Sequence, residues 1–100
     1  MSATRLTDAE IAAGLAAVPG WQREGDTIVR TVKLRDFGAA VAYVGRVAEL
    51  AEAANHHPDI CIRGYNRVTL TLTSHDAGGL TSRDVRLAAQ VDRLQGEPRV

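Results

Sequence analysis

The chain is 100 residues long, enough for one domain and one hydrophobic core but not for a second. A hydrophobic fraction of 45% argues against disorder, and 12 basic residues set against 12 acidic ones leave no basic field for a nucleic-acid backbone. No apolar run approaches the roughly 20 residues that cross a bilayer, and Met1-Ser2-Ala3-Thr4-Arg5 lacks the apolar stretch of a signal peptide, so a soluble cytoplasmic protein is expected.

Cys61 is the single cysteine, which leaves no intrachain disulfide to form. Aromatic residues are few (Trp21, Phe37, Tyr43 and Tyr65), so the core is expected to be built from Ala, Val, Leu and Ile. Leu6-Thr7-Asp8-Ala9-Glu10-Ile11 has the pattern of a helix start. Thr7 caps, Glu10 reaches back as its partner, and Leu6 staples to Ile11. Ile11, Leu15 and Val18 then share one face, and Pro19-Gly20 stops the helix.

Trp21 to Glu24 and Thr27 to Leu34 read as strands joined by Gly25-Asp26, where glycine in the first central position suits a type II′ turn. Ile28, Val32 and Leu34 share a face that Arg30 interrupts, which predicts a strand near an edge or an interface. Asp36 caps the longest helix, from Phe37 to about Asn55, with Phe37, Val41, Val44, Ala48 and Ala51 as its apolar stripe. Pro58 ends it by disfavouring helical dihedrals at His57.

Ile60 to Ile62 is a short strand and Arg63 to Asn66 a turn. Arg67 to Ser74 is the cleanest strand, with Val68, Leu70 and Leu72 on one face and Thr69, Thr71 and Thr73 on the other. His75 continues the threonine parity if the strand stays regular, and Asp76 to Gly79 is a loop. Leu80-Thr81-Ser82-Arg83-Asp84-Val85 repeats the first helix start with Asp84 in the Glu10 role. Leu87, Val91 and Leu94 then form a stripe that Gly96-Glu97-Pro98 ends. The order α-β-β-α-β-β-α predicts an α+β domain over residues 1–100: a four-stranded antiparallel sheet with three helices on one face.

All three histidines fall between Glu52 and Asp84, and imidazole exchanges protons near neutral pH. His56 and His57 sit where the helix must break, so both rings can turn to one pocket, with Glu52 four residues before His56 to orient it. They read equally as two exposed caps on a helix C-terminus. His75 alone reads as a surface histidine, and Asp84 as a capping carboxylate or a site residue. Zinc is not expected, because the adjacent pair lacks helical ligand spacing and no fourth ligand stands out. Ser74-His75-Asp76 cannot act as a triad, since strand neighbours point to opposite faces. Cys61 reads as a small apolar filler.

Glu52-x3-His56-His57-Pro58, Tyr65-Asn66-x-Val68 and Ser74-His75-Asp76-x-x-Gly79-Leu80-Thr81-x-x-Asp84 together resemble the pterin-4a-carbinolamine dehydratase family, as do Gly20-Trp21 and the element order. The resemblance implies a hydro-lyase that dehydrates 4a-hydroxytetrahydropterin to quinonoid dihydropterin and so recycles the pterin of aromatic amino acid hydroxylases. No separate cofactor is implied, because the pterin is the substrate. By motif position His56, His57 and His75 would be catalytic. Asn55 and the run Thr73, Ser74 and Asp76 would line the pterin site, with Glu52 and Asp84 as supporting carboxylates. Of the histidines, His56 and His75 are expected to transfer protons while His57 holds the pterin.

The family also implies a homodimer or homotetramer with a functional link to a hydroxylase, while the charge balance and the lack of a long apolar run leave no direct nucleic-acid or membrane partner expected. Two departures from its pattern stand out: Asn55 where many members carry Asp, and one extra residue, assigned to Gly64, between Pro58 and Tyr65. They are expected to alter rate or affinity and the hairpin turn. Relatives that serve as a dimerisation cofactor of a transcription factor, or in carboxylase assembly, make a non-catalytic binding protein the main alternative. An enzyme acting on another pterin is a third.

Overall fold

The computed structural model describes residues 4–94. The order is α1 (Asp8–Ala16), β1 (Gln22–Glu24), β2 (Thr27–Lys33), α2 (Phe37–Ala54), β3 (Asp59–Arg63), β4 (Arg67–Leu72), a single 3-10 turn (His75–Ala77) and α3 (Ser82–Arg93). The four strands form one antiparallel sheet in the spatial order β1-β2-β4-β3. This is the α+β arrangement expected from the sequence. The expected stop at Gly96-Glu97-Pro98 lies outside the described residues.

The helix starts follow local chemistry. Thr7 Oγ1 accepts from the Glu10 N–H at 3.1 Å while Glu10 Oε1 accepts from the Thr7 N–H at 2.8 Å. Asp36 accepts from the Ala39 N–H, and Thr81 with Asp84 repeats the reciprocal box at α3. Between β1 and β2 only Gly25 takes a positive φ (63°), in keeping with a type II′ turn.

Val68, Leu70 and Leu72 of β4 are fully buried and join Ile28 and Val32 of β2 beneath the helices. Ile11 and Val18, Tyr43 and Val47, and Leu87 and Val91 bring the three helical segments into that same cluster, so the helices share one face of the sheet. The other face, with Thr31 bonded across to Thr69, is open.

Three expectations are refined. First, β2 lies second in the strand order, but β1 covers only residues 27–29, so the half over residues 30–33 is paired on the β4 side alone and does lie near an edge. Arg30 interrupts its apolar face because its guanidinium lies over Gly20 and faces Asp92 at 3.5 Å, and the same Asp92 oxygen accepts from Trp21 Nε1 at 2.9 Å. A Cβ on Gly20 would come within 1.6 Å of Arg30 Nη1, so the glycine makes room for the arginine.

Second, the buried stripe of α2 is Ala40, Tyr43, Val47 and Ala51, whereas Phe37 and Val41 are 56% and 48% exposed. The helix is apolar on two sides, and the sheet takes the side with the large Tyr43. Third, Cys61 is exposed on the open sheet face and fills no core space.

Two backbone features mark the opposite ends of the β3–β4 pair, the first of them at the histidines. Asn55 closes α2 in the left-handed region (φ 51°, ψ 44°), so the helix ends before Pro58 can act. Gly64 and Tyr65 both take positive φ (54° and 61°), and the Asn66 N–H then bonds the Gly64 carbonyl at 2.8 Å. Asn66 is thereby aimed at Leu34, whose carbonyl accepts from Asn66 Nδ2 at 3.0 Å.

Candidate active site

The sharp turn at Asn55 throws the two adjacent histidines into different surroundings. His56 is 8% exposed, and its Nε2 lies 2.6 Å from Asp84 Oδ1. His57 is exposed, and its Nε2 meets Glu52 Oε2 at 2.9 Å. Glu52 therefore supports His57, five residues on, and not His56 as its four-residue spacing predicted. The left-handed residue lets the His56 N–H bond the Ala51 carbonyl at 3.1 Å while its ring turns inward to Asp84, away from Glu52.

Asp84 is fully buried and every contact it makes has a direction. As a carboxylate it only accepts. Oδ2 takes the Thr81 N–H at 2.9 Å and the Ser74 hydroxyl at 2.8 Å, and Oδ1 takes His56 Nε2–H. Ser74 has then spent its one proton, so the 2.8 Å contact between Ser74 Oγ and Thr81 Oγ1 is donated by Thr81. Thr81 Oγ1 in turn accepts from the Arg83 N–H at 3.2 Å. The alternatives for Asp84 are not exclusive: one oxygen caps α3 and the other holds a histidine. With Nε2 protonated toward Asp84, Nδ1 is the ring nitrogen of His56 that is left to exchange protons.

His56, His57 and His75 line one open depression of about 280 Å³ together with Asn55, Thr73, Asp76 and Arg83. His75 reaches it from the 3-10 turn after β4, because the strand ends at Leu72 and strand parity does not extend that far. A bridge between Ser74 and Gly79 closes this turn, and Leu6 N–H bonded to the Leu80 carbonyl at 2.9 Å ties it to the segment before α1.

Of the residues singled out beside the histidines, Asn55, Thr73 and Asp76 stand on the rim of the depression. Glu52, Ser74 and Asp84 do not line it: Glu52 backs His57, and Ser74 and Asp84 lie behind His56. Among the described residues no three His, Cys, Asp or Glu side chains converge closely enough to hold a metal ion. Nor is any described helix long and apolar enough to cross a membrane.

Arg83 was missed by sequence reasoning. Its Nη2 donates to Asp76 Oδ1 at 2.6 Å, and this bond holds the Asp76 carboxyl below the usual aspartate range. One arginine among many basic residues carries no sequence signal. Its place in the first turn of α3, one residue before Asp84, was the clue available.

The sequence model of a family described as pterin 4 alpha carbinolamine dehydratase matches residues 4–94. A protein of Chloroflexus aurantiacus, provisionally named pterin-4-alpha-carbinolamine dehydratase, is 60% identical over 92 residues, covering 92% of this chain and 98% of that one. A protein of Thermomicrobium roseum with the same provisional name is 58% identical over 90 residues, covering 90% and 96%. Among solved structures, a transcriptional coactivator/pterin dehydratase from Brucella melitensis superposes with a TM-score of 0.84 at 34% identity, covering 91% of this chain and 98% of that one. A pterin dehydratase-like protein identified as a RuBisCO assembly factor in the alpha-carboxysome gives 0.61 at 25% identity, covering 76% and 87%.

Proposed function

Because the chain belongs to the pterin 4 alpha carbinolamine dehydratase family, we propose that it is a hydro-lyase that dehydrates 4a-hydroxytetrahydropterin to quinonoid dihydropterin. The observation that carries the reading is the gathering of His56, His57 and His75 around one depression, with His56 fixed from behind by a buried carboxylate.

The reaction breaks the C4a–O bond and needs two proton transfers. One proton goes to the departing oxygen, which leaves as water. Another leaves the adjacent ring nitrogen, whose electron pair closes the new C=N bond. His56 Nδ1 is the acceptor of the nitrogen proton, because Asp84 stabilises the imidazolium that forms. His75, on the solvent-open turn, delivers the proton to oxygen. His57 holds the pterin, itself steadied by Glu52. Asn55, Thr73 and Asp76 contact the substrate, and Ser74 and Asp84 act by positioning His56. No separate cofactor enters, and the product re-enters the tetrahydropterin cycle of an aromatic amino acid hydroxylase in the cytoplasm.

The test is dehydration of freshly generated 4a-hydroxytetrahydropterin followed by ultraviolet absorbance. Acceleration well above the spontaneous rate is expected, and the folded His56→Ala, His75→Ala double variant is expected to lose at least about 100-fold of it. A folded protein that gives no acceleration overturns the reading. An assembly role, as named for the carboxysome neighbour, is then favoured by the exposed Phe37, Val41 and Tyr65. The Phe37–Val41 side of α2 equally supports self-association into a dimer or tetramer.

A further inference from the structure

Beside the histidine depression lies a second one of about 160 Å³, lined by Ala54, His56, Arg83, Arg86, Leu87 and Gln90. The two share a wall, made of His56 and Arg83. The lining of the second holds two guanidinium groups, an imidazole and an amide, and no carboxylate. Arg83 and Arg86 stand three residues apart on α3, so they occupy the same face, and Gln90 continues it four residues on.

The carboxylates around this wall are already engaged. Asp84 faces His56, Ser74 and Thr81, while Asp76 faces Arg83 and Glu52 faces His57. Arg86 is exposed and makes no hydrogen bond or ion pair with a described residue. Arg86 has no matching acid, and Arg83, whose Nε and Nη2 turn to Thr81 and Asp76, still has Nη1 to offer, so the two guanidinium groups present N–H donors to a dianion from one helix face. Leu87 and Ala54 offer an apolar floor for a short carbon stem.

We propose that this second depression binds a phosphate monoester carried on the side chain of the pterin seated at the histidines. The assignment rests on the pterin reading above and adds a substrate preference to it. The shared wall supports it: a ring system against His56 places its substituent beside Arg83, on the way to Arg86. The competing role for these arginines is to balance the C-terminal end of α2, whose last turn has no basic residue of its own.

The experiment is calorimetric titration of the full chain with two compounds. One is a 7,8-dihydropterin with a trihydroxypropyl side chain at C6, and the other is its terminal phosphate monoester. At about 0.02 M salt the ester is expected to bind about tenfold more tightly, and the gap is expected to narrow at about 0.2 M salt as the exposed guanidinium is screened. Arg86→Gln should bring the ratio close to one and Arg86→Lys should keep part of it. Inorganic phosphate, as a third probe, should bring the affinity of the ester down to that of the neutral compound and leave the latter unchanged.

Equal affinities, or a ratio that Arg86→Gln leaves unchanged, overturn the proposal. A lower melting temperature in Arg86→Gln with the ratio intact assigns the arginine to the helix end and overturns it as well. Dehydration of the neutral carbinolamine is assayed on the same preparation. Turnover with equal affinities removes this inference alone, whereas no acceleration and no binding by either compound removes the reading beneath it.

Discussion

His56 and His57 are adjacent in the chain, each meets a carboxylate through Nε2, and the two pairs have little else in common. The His56–Asp84 pair is buried, spans 28 residues and belongs to a network that also fixes Ser74, Thr81 and the start of α3. The His57–Glu52 pair is 55% and 78% exposed at its two side chains, spans five residues and ends there. A histidine–carboxylate contact is thus two different devices. Out of water and held on both oxygens it sets a tautomer and a direction. In water it restrains a mobile ring and is screened by salt.

The comparison breaks most sharply at Asp84. Asp84→Ala strands His56, Ser74 and the Thr81 N–H together, and a loss of about 3–5 kcal/mol is expected in urea unfolding. The Asp84→Asn variant keeps the shape and is expected to lower pterin turnover about 100-fold. If turnover survives in an Asp84→Asn protein of native stability, His56 does not depend on its carboxylate. Glu52→Gln is the matching lesion at the exposed pair. Its cost is expected to stay under about 1 kcal/mol, with turnover within a few fold of the parent, read in the same two assays. Equal damage at both sites would erase the distinction.

The smallest effect belongs to a third carboxylate, Asp76. Its pKa is lowered from 3.8, first by the Arg83 hydrogen bond. A lowered folded-state value means the pair's contribution is present above 3.8 and is lost as pH falls through the lowered value. Carbon NMR of the Asp76 carboxyl should show its midpoint rising toward 3.8 in Arg83→Gln. An unmoved midpoint would assign the shift to the turn backbone.

What the sequence made legible was local. Thr7 with Glu10, Asp36, and Thr81 with Asp84 announce helix starts within four residues, and the Val68–Leu72 alternation announces a half-buried strand. The buried face of α2 was misread because alanine and valine occur on every side, and only the packed sheet selects Tyr43 and Val47. Arg30 stands where β1 no longer covers β2, as its place in the pattern suggested, but its partner on α3, Asp92, is 62 residues away and gave no sequence signal. The histidines were visible as a cluster. Their division of carboxylates was not, since it depends on one left-handed residue that no spacing rule contains.

That residue is Asn55, and it also sits on the rim of the depression. Few side chains accept its dihedrals at low cost: glycine, asparagine and aspartate. The backbone therefore restricts position 55 to a short alphabet, and within it aspartate and asparagine differ by one charge and almost no volume. The rim can change its electrical character there while keeping its shape, which makes position 55 a place where related chains can adjust the pocket without rebuilding it.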